Sequence, residues 1–184
     1  MTTILGISGS LRNGSFNTAL LRAAGPLMPE GSTLAASTLH GVPLYDADVE
    51  AAGFPAEVAA LKEAMAAADG VMLFTPEYNN ALPGVFKNAI DWCSRPPADV
   101  PRVFRGRPFA VLGASPGGFG TILSQDAWLP VLHTLGVRQW HGARLMVSRA
   151  GAVFDGEGAL TDEGIRGQLK GFLEGFVAFV RDGR

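Results

Sequence analysis

The sequence predicts an α/β domain built on a parallel sheet that helices cover on both faces. Two patterns indicate this fold class: short aliphatic runs alternate with segments of helical periodicity, and each run is apolar throughout rather than alternately polar. Continuously apolar strands are typical of doubly wound α/β domains, whose sheets are buried on both sides. With 184 residues the chain can bury such a core, and we expect residues 1–184 to form a single domain.

Five strands are predicted from the aliphatic runs. They lie at residues 3–7, 33–37, 71–74, 109–114 and 144–147, and the second is the weakest of the five. Parallel strands need a crossover connection, which is usually a helix. The alternation of strands and helices therefore also favours parallel pairing.

Helices are predicted between these strands and after the last one. The first covers about residues 15–28, and apolar residues at helical spacing indicate a second within residues 54–65. Pro83 stands at a first-turn position of a third helix, and a fourth covers about residues 119–135. The last helix carries one apolar stripe that we assign to core packing: Ile165, Leu169, Phe172, Leu173, Phe176 and Val180.

Composition limits the binding partners and the cellular compartment that we expect for the protein. A net charge of −2 offers no attraction to nucleic acid or to an anionic membrane, and no apolar run approaches the roughly 20 residues of a membrane span. The single Cys93 can form no internal disulfide and fits a reducing compartment, so we expect a cytoplasmic protein. His40, His133 and His141 lack the spacing of metal ligands, and no metal site is expected.

Parallel sheets of this class bind ligands at the carboxyl ends of their strands, close to the point where the strand order reverses. Three segments qualify, and we refer to them as the first loop (residues 9–17), the second loop (residues 75–81) and the third loop (residues 115–120). Any small-molecule site should therefore be formed by these three loops.

The first loop has the composition of a phosphate-binding turn between a strand and a helix. Its sequence, GSLRNGSFN, has two glycines that let the backbone curl, and donors at Ser10, Arg12, Ser15 and Asn17. An anion at such a turn meets unpaired amide groups and the positive end of the following helix. A plain turn with a helix cap is the alternative, since Gly and Ser also mark ordinary turns.

The first loop lacks two known phosphate-binding motifs, and their absence restricts the kind of phosphate that it could bind. Ser15 and Phe16 stand where a Walker A loop needs Lys followed by Ser or Thr, so triphosphate transfer is not expected. No GxGxxG triplet opens the helix, which disfavours a dinucleotide pyrophosphate. Hydroxyls, an amide and one arginine suit a terminal phosphomonoester.

The second loop has the features of a rim for a flat heterocycle. Pro76 fixes the exit of the chain from its strand, so that the following backbone groups can face the edge of a ring. We expect the Glu77 side chain to point away, because a carboxylate beside a reduced, anionic ring would be repelled. Tyr78 either packs on the ring or is an ordinary amphipathic residue at a loop edge.

The third loop has three glycines in six residues, SPGGFG. Glycine permits a close backbone approach to a ligand, and amide groups there could stabilise negative charge on a bound ring. An ordinary strand-to-helix turn is the alternative.

Two segments resemble a known family. The first loop and the segment PEYNNALPGVFKNAIDW at residues 76–92 resemble the NAD(P)H-dependent FMN reductase family of flavodoxin-like proteins, which includes chromate and quinone reductases. Weaker likeness at residues 39–46, 115–120 and 154–163 extends the resemblance over nearly the whole chain. It implies a flavodoxin-like three-layer sandwich with a five-stranded parallel sheet.

The resemblance also implies roles for individual residues. The phosphate of FMN would be held by Ser10, Arg12, Ser15 and Asn17. The flavin ring would contact Pro76, Glu77, Tyr78 and Asn79, and its pyrimidine side would meet Ser115, Gly117 and Gly118. The helix after the second loop would serve packing and subunit contact through Lys87, Asn88, Asp91 and Trp92, in a homodimer or homotetramer.

The function implied by the resemblance is that of an oxidoreductase. A hydride would pass from NAD(P)H by way of FMN to quinones, free flavin or similar small acceptors, and no side chain is expected to act as catalytic acid or base because the cofactor carries the chemistry. Two alternatives stay open. One is a flavodoxin-like carrier of single electrons without nicotinamide turnover, and the other is an enzyme for which FMN is a diffusing substrate.

Overall fold

The fold, taken from a computed structural model that describes residues 1–183, is a parallel sheet between two layers of helices. The long strands are β1 (Thr2–Ser8), β2 (Ser32–Ser37), β3 (Gly70–Phe74) and β4 (Pro108–Ala114), followed by the short β5 (Arg138–Gln139) and β6 (Met146–Val147). They are ordered β2-β1-β3-β4-β5, β6 also pairs with β4, and every pairing is parallel. This order is that of the flavodoxin-like doubly wound fold, which confirms the predicted fold class.

Seven α-helices connect or follow the strands within the described residues. They are α1 (Phe16–Ala24), α2 (Ala47–Ala52), α3 (Ala56–Ala67), α4 (Gly84–Cys93), α5 (Val100–Val103), α6 (Ile122–Thr134) and α7 (Glu163–Asp182). Helices α1 and α7 cover one face of the sheet, and α3, α4 and α6 cover the other.

The apolar core lies in two layers because successive residues of a strand point to opposite faces. In β3, Met72 and Phe74 pack with the layer under α1 and α7, whereas Val71 and Leu73 pack with the layer under α3, α4 and α6. All four side chains are fully buried. The continuous apolar run of this strand thus reflects burial on both faces, as the sequence predicted.

The fifth strand predicted at residues 144–147 is found only in part, as the two-residue strand β6. Two short strands line the edge of β4 instead: β5 pairs with the start of β4, and β6 pairs with its end. Between them the chain leaves the sheet edge, and the Trp140 ring packs against Phe172 of α7 at a centroid distance of 4.8 Å. Because β5 consists of Arg138 and Gln139, no apolar run could indicate it.

Three helix predictions also needed correction. Helix α1 ends at Ala24 rather than near residue 28, and a 3-10 turn at Gly25–Leu27 follows because Pro26 cannot donate a helical hydrogen bond. Phe54 precedes α3, which begins after Pro55. Helix α6 begins at Ile122 rather than near residue 119, and α2 was missed because none of its residues is buried.

Helix α4 holds the segment that follows β2. The Asn88 amide accepts from the backbone N–H of Tyr45 and donates to the carbonyl of Pro43, both at 2.8 Å, and the Trp92 indole donates to the same carbonyl at 2.9 Å. Lys87 and Asp91 form a half-exposed ion pair at 2.7 Å. The packing role predicted for this helix is therefore confirmed within the chain, and subunit contact stays a prediction.

The proline- and arginine-rich stretch at residues 94–108 contacts α3 through two ion pairs. Lys62, whose side chain is only 6% exposed, contacts Asp99 at 2.7 Å and lies over the Phe54 ring, while Arg102 pairs with Glu63 at 2.8 Å. The hydrogen bond and charge of Lys62 lower the pKa of Asp99. A buried ammonium needs this partner, since an unpaired buried charge is strongly unfavourable.

We expect Asp99→Asn to destabilise the protein by about 1.5–3 kcal/mol at pH 7, the scale of a hydrogen bond to a charged group. Because the pKa of Asp99 is lowered by folding, its contribution is complete above the unfolded value of about 3.9 and is lost as the pH falls through the folded value. Urea unfolding of both proteins between pH 7 and pH 3 should therefore give converging stabilities. The control is Glu174→Gln, which removes an exposed ion pair with Lys170 at 3.9 Å. We expect it to change the free energy of unfolding little.

Candidate flavin site

The three loops that follow β1, β3 and β4 surround one cavity of about 400 Å³ at the carboxyl end of the sheet. Its lining consists of Ser10, Arg12, Ser15, Phe16, Asn17, Pro76, Glu77, Tyr78, Ala114, Ser115 and Pro116. Eight of the eleven residues predicted from the sequence are among them, and Asn79, Gly117 and Gly118 are not. A separate cavity of about 170 Å³ beside Trp140 and His141 contains none of the predicted residues.

Two buried serines in the first loop have hydroxyl protons to offer. Ser15 caps α1, its Oγ accepting from the backbone N–H groups of Asn17 and Thr18 at 3.2 and 3.3 Å. Ser10 Oγ accepts from the N–H of Arg12 at 3.3 Å. A hydroxyl that accepts hydrogen bonds can still donate its own proton, and the N-terminal end of α1 adds partial positive charge. Both hydroxyls can therefore donate to an anion.

Arg12 brings the one full positive charge of the first loop into the lining. Its guanidinium lies over the Phe16 ring, 5.3 Å from the ring centroid, and Phe16 stacks on Phe154 at 5.9 Å. The same guanidinium passes close to Gly14, where an added Cβ would lie 3.4 Å from Arg12 Nη1. The side chain is thus held over the loop while remaining exposed to solvent.

Asn17 is tied to the end of β4. Its amide Nδ2 donates to the Ala114 carbonyl and its Oδ1 accepts from the Ala114 N–H, both at 2.9 Å. The residue is only 2% exposed. These two bonds join the start of α1 to the residue that immediately precedes the third loop.

A tight turn shapes the second loop. Tyr78 and Ala81 exchange backbone hydrogen bonds of 3.1 and 3.0 Å, and Asn79 and Asn80 between them have φ angles of 50° and 61°. Positive φ at both central positions is the geometry of a two-residue type I′ hairpin turn, which asparagine tolerates well. The backbone N–H of Tyr78 is consequently used within the loop, and its side chain is 48% exposed.

Beneath the second loop lies a buried polar group of residues that sequence reasoning missed. Thr75 Oγ1 contacts Ser124 Oγ at 2.8 Å, accepts from the Trp128 indole at 3.1 Å, and donates to the Pro76 carbonyl at 3.0 Å. Ser124 and Trp128 lie one turn apart on α6, where they fit a core pattern and give no separate signal. These contacts fix the carbonyl of Pro76 from below.

The Glu77 side chain serves helix α6. Its Oε2 accepts from the backbone N–H groups of Leu123 and Ser124 at 2.8 and 3.0 Å, at a helix whose own N-cap residue, Thr121, makes no side-chain cap bond. A carboxylate at this position also meets the positive end of the helix. The side chain is thus committed to α6, and ring contact by the Glu77 backbone stays a prediction.

The third loop is held by its own backbone and leaves its glycines open. Ser115 Oγ accepts from the N–H of Gly117 at 3.1 Å, and the Gly117 carbonyl accepts from the N–H of Arg149 at 2.9 Å. A Cβ added at Gly117 would meet only Ser115 Oγ, at 3.4 Å, and one added at Gly118 would meet nothing within 4 Å. No atom of the described chain requires glycine at these positions.

Residues 2–152 match the family described as NADPH-dependent FMN reductase. The chain belongs to this family. It is 43% identical over 178 residues to an NAD(P)H-dependent FMN reductase of Pseudomonas aeruginosa, covering 97% of this chain and 95% of the relative. A 2-hydroxy-1,4-benzoquinone reductase of Burkholderia sp is 35% identical over 178 residues, covering 97% and 96% of the two chains.

Among solved structures, the flavoenzyme NAD(P)H:acceptor oxidoreductase FerB from Paracoccus denitrificans superposes with a TM-score of 0.89. It is 31% identical, and the match covers 100% of this chain and 99% of FerB. The protein is accordingly an oxidoreductase that uses FMN and a nicotinamide donor. Within residues 1–183, none of its helices is both long and apolar enough to cross a membrane.

Removing the Glu77 carboxylate should uncap α6. We expect Glu77→Ala to lower the free energy of unfolding by about 1–2 kcal/mol, as for the loss of other helix N-caps. Thermal or urea unfolding measures the change, and Glu174→Ala, on the exposed face of α7, is the matched control. Equal stability of Glu77→Ala and the unmodified protein would contradict the capping role.

Proposed function

We propose that this reductase holds FMN in the cavity formed by the three loops and passes reducing equivalents from NAD(P)H to quinones or similar small acceptors. The observation that carries the proposal is the convergence of eight predicted flavin-site residues, distant in sequence, on one cavity of about 400 Å³. The named activity of the benzoquinone reductase relative supports a quinone as acceptor.

The donor set at one end of the cavity fits a phosphomonoester. Ser10 and Ser15 offer hydroxyl protons from buried positions, and Arg12 offers a charged donor at the exposed side. Several neutral donors and one charged donor would bind a dianionic phosphate with strong, short hydrogen bonds. We assign the phosphate of FMN to these three side chains.

The other two loops fit the ring. We assign ring contact to the backbone and side chains of Pro76, Glu77, Tyr78 and Asn79, and to Ser115, Gly117 and Gly118. The space in front of both glycines supports this assignment, because it lets a flat ligand approach the backbone closely. Tyr78, whose side chain is 48% exposed, supplies apolar surface in the lining of the cavity.

When bound, FMN supplies the ability to accept a hydride and to release it to a second substrate. The chain supplies binding, orientation and control of access. No carboxylate of the lining is placed to act as a proton donor, because that of Glu77 is bonded to α6. We therefore assign no catalytic acid or base.

We further propose that residues 1–184 work as one domain in the cytoplasm and assemble as a homodimer or homotetramer. The exposed side chains of Phe119 in the third loop, and of Ile122 and Leu123 at the start of α6, support assembly. Apolar residues clustered on a surface are typical of an interface.

The proposed activity is tested by adding NADH or NADPH anaerobically to the flavin-loaded protein. We expect the yellow absorbance to bleach with at least one nucleotide and to return on addition of a benzoquinone, with steady turnover when both are present. Bleaching without turnover by any quinone would contradict a quinone as the acceptor, whereas the one-electron carrier predicts no bleaching with either nucleotide. No bleaching with either nucleotide would contradict the enzyme, and loss of flavin on gel filtration would indicate that FMN diffuses as a substrate.

Arg12→Ala should weaken FMN binding by about 1.5–3 kcal/mol, the scale of a hydrogen bond to a charged group. Fluorescence titration of the flavin-free protein measures the affinity. Lys170→Ala removes an exposed positive charge on α7 and is the control for the change in net charge. If both variants bind FMN as tightly as the unmodified protein, Arg12 does not contact the phosphate.

A further inference from the structure

Asn17 occupies an unusual place at the end of the sheet. The ladder between β3 and β4 stops at the pair Phe74 and Leu112, where the N–H of Thr75 makes its last bond, 2.8 Å to the Leu112 carbonyl. The next residue of the second loop is Pro76, which has no N–H to continue the ladder. On this side of β4, Ala114 is therefore left without a strand partner.

The Asn17 amide replaces the missing peptide group. It donates to the Ala114 carbonyl and accepts from the Ala114 N–H, both at 2.9 Å, as a neighbouring strand would. The opposite edge of β4 remains paired, because the N–H groups of Gly113 and Ser115 donate to the carbonyls of Leu145 and Val147. Ala114 is thus hydrogen-bonded only because α1 supplies a side chain 97 residues earlier in the sequence.

This use of the side chain leaves Asn17 little capacity for a phosphate. The residue is 2% exposed, both functional atoms of the amide have a partner, and its backbone N–H donates to Ser15 Oγ at 3.2 Å. Ser10 and Ser15, by contrast, use their oxygens as acceptors and keep a proton to donate. The four polar residues assigned to the phosphate from the sequence therefore differ in what they can do.

We propose that Asn17 is a positioning residue for the flavin ring rather than a ligand of the phosphate. It fixes the carboxyl end of β4, and with it Ser115 and the third loop, at a set distance from the first loop. The inference rests on the proposed function, since it concerns how the same flavin site is assembled. Its consequence is that the loss of Asn17 impairs binding of any flavin, with or without a phosphate.

The test compares FMN with riboflavin, which lacks the phosphate. Flavin-free Asn17→Ala is titrated with each flavin by fluorescence, well below its unfolding temperature. We expect both dissociation constants to rise by the same factor, about 5- to 10-fold for the loss of neutral hydrogen bonds. The absorbance spectrum of the bound flavin should also shift, because the third loop is displaced against the ring.

Two variants serve as matched controls. Arg12→Ala should weaken FMN alone, which gives the pattern of a phosphate ligand. Thr18→Ala removes a side-chain hydrogen bond of 2.7 Å between α1 and Ser8 of β1, and so loosens the same helix without touching the third loop. We expect it to leave both affinities and the flavin spectrum unchanged, although its thermal stability should fall.

Three results would overturn the inference. A loss confined to FMN in Asn17→Ala would make Asn17 a phosphate ligand, and unchanged affinity for both flavins would remove it from the site. If Thr18→Ala lost as much affinity for both flavins as Asn17→Ala, the effect of Asn17→Ala would come from a general loosening of α1. If Asn17→Ala does not fold, Asn17→Ser is titrated under the same criteria. Failure of the unmodified protein to bind FMN would instead contradict the proposed function itself.

Discussion

The site depends on how β1, β3 and β4 end side by side at one edge of the sheet. Parallel pairing satisfies the backbone groups within the strands, but the groups just beyond the last pair need other partners. The N–H of Gly9 bonds to the Phe74 carbonyl, that of Thr75 to the Leu112 carbonyl, and that of Ser115 to the Val147 carbonyl. Each loop therefore leaves its strand from a fixed position, and the three loops come to surround a single cavity.

Side chains complete this edge where the ladder stops. Ser15 caps α1, Asn17 pairs with Ala114, Thr75 is bonded to Trp128, and Glu77 caps α6. All of these side chains satisfy backbone or buried polar groups that would otherwise be costly. Polar side chains around the cavity thus differ in what they can do: Ser10 and Ser15 keep a proton to donate, whereas the side chains of Asn17 and Glu77 are occupied in holding the loops.

The fold could be predicted largely from the apolar runs, because burial on both faces gives parallel strands a clear pattern. The prediction failed for elements whose residues show no pattern of burial in the sequence. Strand β5 consists of Arg138 and Gln139, and α2 buries none of its residues. The start of α6 was misplaced because Gly120, with a φ of 64°, keeps the chain out of the helix until after Thr121. These three elements depend on local backbone geometry and on contacts with other parts of the chain, which cannot be read from apolar patterns in the sequence.

Apolar runs and short motifs in the sequence suffice to predict the class of fold, the three loops that surround the cavity and the residue types suited to a phosphate and a flat ring. Periodicity and short motifs carry that information because they reflect local backbone geometry and burial. The role of each polar side chain, by contrast, depends on the partners that the folded chain brings to it. Asn17 meets Ala114 across 97 residues and Glu77 meets Leu123 across 46, and hydrogen bonds over such separations exist only once the sheet has brought the segments together.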